Sequence, residues 1–141
     1  MAAPLPAYRF DAERRRFVVE QLTRCLTAED APIAFAYLFG SALDAEAVHD
    51  VDVGVFFADS LPEAGRLAGE LAARLGVAID LPVDVRVLNH APTSFLYHVL
   101  RGRLLLCRDE ALLTALLEDL GRRYLDLEPL LRQATRDAFA A

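Results

Sequence analysis

At 141 residues, 55% of them hydrophobic, the chain can bury one core without a disulfide or metal staple, and a single domain over 1–141 is expected. A net charge of -6 argues against a nonspecific nucleic-acid binder, because counterion release needs a basic surface. No run approaches the ~18 apolar residues of a membrane span, and the start MAAPLPAYRFDAERRR meets acid and base before any signal-length apolar stretch, so a cytoplasmic protein is expected.

Cys25 and Cys107 lie far apart and outside any CxxC or CxxH pattern, which suits reduced thiols rather than a structural zinc site. Every basic side chain is arginine and lysine is absent. A cation that contacts phosphate here is therefore expected to be arginine or magnesium, with backbone amides as the neutral alternative.

In chain order, Asp11 to about Thr27 carries Phe17, Val18, Leu22 and Leu26 at helical spacing, the pattern of an amphipathic surface helix. The Arg14 to Arg16 run within it reads as a solvated face. Ile33 to Phe39 (IAFAYLF) is apolar throughout and ends at Gly40, as a buried strand closed by a tight turn would. Asp50 to Phe57 (DVDVGVFF) alternates at its start and predicts a second strand. Pro62 to Leu75 spaces Leu67, Leu71 and Leu75 by four and is followed by Gly76, which predicts a helix ending there.

Pro82 to Leu88 (PVDVRVL) alternates again as a third strand. Pro92 to Leu100 predicts a short helix and Leu104 to Cys107 a short last strand, with Tyr97, Leu100 and Leu104 as packing residues. A helix follows from Asp109, its possible cap, to Tyr124, placing Arg122 and Arg123 near the helix end, and a further short helix is expected after Pro129. Strands and helices in rough alternation indicate an α/β or α+β domain: a small mixed twisted sheet flanked by helices, with the first three strands central.

The chemistry concentrates in Tyr37 to Phe57, YLFGSALDAEAVHDVDVGVFF, where a buried strand runs into Gly-Ser and Asp-Val-Asp follows nine residues after Ser41. Gly40 permits a sharp turn with an approachable backbone, and Ser41 stands where a following helix would begin and offer amides and a hydroxyl to phosphate oxygens. Asp50 and Asp52, two apart on a strand, project from one face while Val51 and Val53 enter the core. Two close carboxylates repel unless cations bridge them, and hard oxygen ligands at that spacing suit magnesium beside substrate phosphates.

Asp84 on the third strand has the same phase, opposite the apolar Val83, Val85 and Val87. If the strands are neighbours, Asp84 joins the pair, holds a second metal ion and accepts the acceptor's proton in an in-line transfer at the α-phosphorus. Arg86, on the face of Asp84, is expected to pair with it. His49, His90 and His98 share no metal-like spacing and read as loop or surface residues.

Gly-Ser, then Asp-x-Asp, then a later strand aspartate resembles the polymerase β-type nucleotidyltransferase superfamily, in particular its minimal nucleotidyltransferase branch. The segment VDVRVLNHAPTSFLYHVLRGRLLLCRDE also looks like that branch, so the likeness covers a core of about Ile33 to Glu110. The loop Ala42 to His49 is short for the family, and His49 stands where a serine is common. The resemblance implies a polymerase β-like fold with helical flanks, Gly40 and Ser41 as nucleotide-binding residues, and Asp50, Asp52 and Asp84 as catalytic ligands of two magnesium ions.

It also implies ATP as substrate and a role as the antitoxin of a toxin-antitoxin pair that adds AMP to a tyrosine of a HEPN-type ribonuclease toxin. Two other functions fit the same motifs. An antibiotic nucleotidyltransferase of the aminoglycoside type usually adds a sizeable C-terminal domain, for which little chain remains here. A non-catalytic antitoxin acting by occlusion would have no reason to keep three clustered acids.

Overall fold

The computed structural model describes residues 4–59 and 61–139, with side chains described through residue 124. Two compact units result, Met1–Asp109 and Glu110–Ala141. The first holds a four-stranded mixed sheet built from β2 (Ile33–Phe39), β4 (Val51–Phe57), β5 (Val83–Val87) and β6 (Arg103–Cys107) in the order β5-β4-β2-β6. β2 pairs antiparallel with β4 and β6, while β4 pairs parallel with β5. The third predicted strand is thus an edge strand rather than a central one. This agrees with its half-exposed residues, whereas β2 between two partners is buried at every position.

Helices α1 (Ala12–Ala28) and α2 (Ala64–Ile79) supply one side of the core. Val18, Leu22 and Leu26 meet Leu71, Leu75 and Ile79 together with Ala36, Leu38, Val51, Val53, Val55 and Phe57 of the strands. Asp11 caps α1 by accepting from the Arg14 amide at 2.8 Å. The buried stripe of α1 is Val18, Val19, Leu22 and Leu26, while Phe17, expected among them, is 47% exposed. Leu104, read as a packing residue, is exposed as well.

α2 also departs from expectation. It passes Gly76 and ends four residues later on Asp80, whose left-handed backbone (φ 54°) terminates it. The i, i+4 series Leu71, Leu75, Ile79 explains the extension, because burying Ile79 outweighs the ~1 kcal/mol cost of one interior glycine.

Two elements have no periodicity to betray them. β1 (Tyr8–Arg9) and β3 (Ala47–Val48) form a separate two-stranded sheet. It ties the chain ahead of α1 to the segment just before Asp50. Arg15 reinforces this tie by donating to the carbonyls of Phe10, Ala42 and Ala45 while its guanidinium lies 5.1 Å from the Phe10 ring centroid. The middle arginine of the run is therefore a structural clamp and not part of a solvated face.

α3 (Thr93–Leu100) follows β5, with the predicted length less its proline, and Pro92 precedes its first turn. The second unit is a single helix, α4 (Glu110–Phe139), so no break occurs at Pro129 and Arg122 and Arg123 lie inside it, both paired with Asp119. An interior proline forfeits one backbone bond, which a 30-residue helix survives.

Candidate active site

β2 ends in a 3-10 turn over Gly40–Leu43, so Ser41 opens one tight turn where an α-helix was expected. Gly40 sits at φ +76°, a conformation that glycine adopts without steric cost. A Cβ there would lie 2.7 Å from Asp52 Oδ2, so the absent side chain is what lets the Asp52 carboxylate approach the turn. Ser41 is exposed, and its carbonyl accepts from the amides of Asp44 and Ala45 at 3.3 and 2.9 Å, which fixes the turn while leaving the hydroxyl outward.

Asp52 is the second residue of β4, between buried Val51 and Val53, and Asp50 immediately precedes the strand. The parallel register sets Asp52 directly against Asp84, which puts both carboxylates on one face of the sheet. The pairing is held at its ends by the Val51 amide donating to Pro82 O and the Leu88 amide donating to Val55 O, each at 2.9 Å. Strand register thus brings Asp52 and Asp84 side by side, with Asp50 at the residue before the strand.

Their electrostatics agree with the placement. Burial, then the like charges of Asp50 and Asp84, push the Asp52 carboxyl from 3.8 up to about 6, against the opposing pull of Arg86 and His98. Asp84 already has a counter-ion, since Arg86 Nε donates to its Oδ2 at 2.9 Å, the pairing expected from their shared face.

Among the described residues no three His, Cys, Asp or Glu side chains are grouped closely enough to hold a metal ion as they stand. The donor chemistry nevertheless fits magnesium. Asp52 is destabilised as an anion by burial and by two neighbouring carboxylates, and Asp50 is half-exposed beside it. Asp84 fits as a third donor through Oδ1, since Arg86 engages its Oδ2.

The sequence reading missed one part of the site. α3 packs on the Asp52 face, and its close seat depends on Gly54, where a Cβ would come within 2.8 Å of Val99 Cγ1 and 3.1 Å of Leu88. Phe39, the register partner of Asp52, meets the rings of Phe95 and His98 edge-on, each with centroids 5.7 Å apart. A glycine inside a strand is the signal that could have revealed the close approach. His49, by contrast, lies apart from this group, with Nδ1 3.0 Å from Pro6 O.

A cavity of about 560 Å³ lined by Arg9, Phe10, Asp11, Arg15, Asp44 and Glu46 contains none of the three acids, and of its two arginines Arg15 is committed to backbone carbonyls while Arg9 lies 3.9 Å from Asp11.

The family described as Polymerase beta, Nucleotidyltransferase matches residues 20–111, well over half of the chain and all of the site. The chain belongs to the polymerase beta nucleotidyltransferase family. No curated protein matches this nucleotidyltransferase significantly.

Solved structures do match. One, of a tri-AMPylated Shewanella oneidensis HEPN toxin in complex with MNT antitoxin, contains a chain 25% identical to this one, with a TM-score of 0.61 over 90% of this chain and 99% of that one. Another, of a toxin-antitoxin with AMP-PNP, is also 25% identical, with a TM-score of 0.63 over 87% of this chain and 98% of the other. The expected polymerase β-like fold, a mixed α and β architecture with a twisted sheet, is thereby the fold of this nucleotidyltransferase.

Proposed function

We propose that this chain is a magnesium-dependent nucleotidyltransferase antitoxin that transfers AMP from ATP to a tyrosine hydroxyl of a HEPN-type toxin. The observation that carries the reading is the register of Asp52 against Asp84 with Asp50 alongside, the Asp52 carboxylate set close against the Gly40 turn. A non-catalytic scaffold gains nothing from an aspartate raised to about 6 by burial and like charge. The similar solved structures, one with AMP-PNP and one with an AMPylated HEPN toxin, support the nucleotide and the acceptor class.

In this reading Gly40 and Ser41 bind the triphosphate, through the close backbone approach at Gly40 and the outward hydroxyl of Ser41. Asp50, Asp52 and Asp84 would hold two magnesium ions, which when bound neutralise charge on the attacking and departing oxygens. Asp52 orients the α-phosphate. Asp84, through the carboxylate oxygen that Arg86 leaves open, takes the proton from the tyrosine hydroxyl. The tyrosine oxygen bonds to the α-phosphorus, the bond from that phosphorus to the bridging oxygen breaks, and pyrophosphate leaves with the electron pair.

The test is to coexpress the chain with its neighbouring HEPN-type gene product, add ATP and magnesium, and weigh both intact proteins. Mass gain of AMP groups on the partner, abolished by Asp52→Asn, is expected. A partner that gains no mass with wild-type protein overturns the reading.

A further inference from the structure

We propose that His98 contacts the nucleotide, donating a ring N–H to a phosphate oxygen bound in front of Gly40 and Asp52. The inference rests on the nucleotidyltransferase reading above and adds a binding residue to it. The geometry that carries it is a chain of contacts from helix to turn. His98 lies on α3, one helical turn beyond Phe95. Its ring meets Phe39 edge-on with centroids 5.7 Å apart and lies 6.5 Å from Phe95 at a 46° tilt.

Phe39 itself is 5% exposed and so cannot yield, and it is both the register partner of Asp52 and the residue before Gly40. A rigid, buried ring thus holds an exposed imidazole next to the proposed phosphate cradle. Gly54 permits the close approach, because a Cβ there would come within 2.8 Å of Val99 Cγ1, the residue next to His98.

Three further facts favour a substrate contact over packing alone. Lysine is absent, so a charged or N–H side-chain donor to phosphate must come from another residue type. Arg86, which shares the face of Asp84, is engaged by that carboxylate. Neither ring nitrogen of His98 makes a hydrogen bond among the described residues, and its ring packs on Phe39, the register partner of Asp52. A donor next to a triphosphate site is positioned for a charge-assisted bond.

The experiment separates ring from donor. His98→Phe keeps an aromatic ring against Phe39 and loses the N–H, whereas His98→Gln keeps an N–H and loses the ring. Calorimetric titration of each full-length protein with AMP-PNP and magnesium chloride is the readout, with the thermal midpoint without nucleotide as the check on folding. His98→Phe should bind about tenfold more weakly and raise KM for ATP with kcat nearly unchanged, while His98→Gln stays near wild type.

Wild-type affinity in His98→Phe, or equal losses in both variants, overturns the proposal while the nucleotidyltransferase reading stands. A wild-type protein that binds no AMP-PNP overturns both.

Discussion

In the proposed mechanism Asp52 joins two roles that pull against each other, and its substitution separates them. Asp52→Asn should lower the transfer rate by at least ~10²-fold, the order of loss seen on removing one preorganised charge-stabilising group. Stability should move the other way. The folded-state carboxyl is raised to about 6 from an ordinary 3.8, so between those values the folded protein holds the proton more tightly than the unfolded chain. Stability contributed by this group is therefore full below the lower value and declines as pH rises through the window. Melting curves in chelator should show Asp52→Asn and wild type nearly equal at the low end and the variant more stable above pH 6; a variant less stable than wild type at neutral pH would make Asp52 structural. Gly40→Ala probes the same spot from the turn. It places a Cβ 2.7 Å from Asp52 Oδ2 at a positive φ, so a loss of about 1–3 kcal/mol and weakened AMP-PNP binding are expected, read by denaturant titration and calorimetry.

At the scale of elements, the site depends on strand register, and register depends on groups far from the chemistry. Asn89 continues the β4 ladder past its partner strand, accepting from the Phe57 amide at 2.9 Å and donating to the Phe57 carbonyl at 2.8 Å. Asn89→Ala removes both bonds and should cost about 1–3 kcal/mol in urea unfolding, with Asn89→Asp losing only the donor and falling between. A change under a few tenths of a kcal/mol would show that β4 and β5 keep register without it. The parts of this arrangement that could be read from sequence share one property: a period. The alternation in DVDVGVFF and PVDVRVL put Asp52 and Asp84 on one face, and the structure pairs them residue for residue. What had no period was lost. Two-residue strands at Tyr8–Arg9 and Ala47–Val48 pair through chain closure over a distance that no local window spans. The role of Arg15 depends on carbonyls 27 and 30 residues away, and the ring of His98 acquires its place only when α3 folds back on β2. Gly76 misled for a different reason, since a glycine near a helix end signals a stop that Ile79, by packing in the core, overrode.

For the whole molecule, the open question of where the acceptor comes from has a physical answer in what surrounds the three acids. β5 beside them is an edge strand with half-exposed residues, and Ser41 and His98 are exposed. No element among the described residues 4–109 closes over Asp50, Asp84 and Ser41, which remain partly or wholly exposed, so an acceptor large enough to exclude water must bring its own walls. A partner protein does so, and with it comes the interface energy that a lone tyrosine side chain lacks. On the proposed function, the chain coexpressed with a HEPN-type toxin should accordingly elute as one species from size-exclusion chromatography at micromolar concentration and survive without nucleotide, because docking precedes transfer. Asp52→Asn should leave that coelution intact while removing AMP transfer, which distinguishes a catalytic antitoxin from one that acts by occlusion. If the wild-type pair elutes as two peaks, the acceptor is not presented by a stable partner; if Asp52→Asn still protects cells from the partner as fully as wild type, occlusion is sufficient and transfer is not how this chain neutralises it.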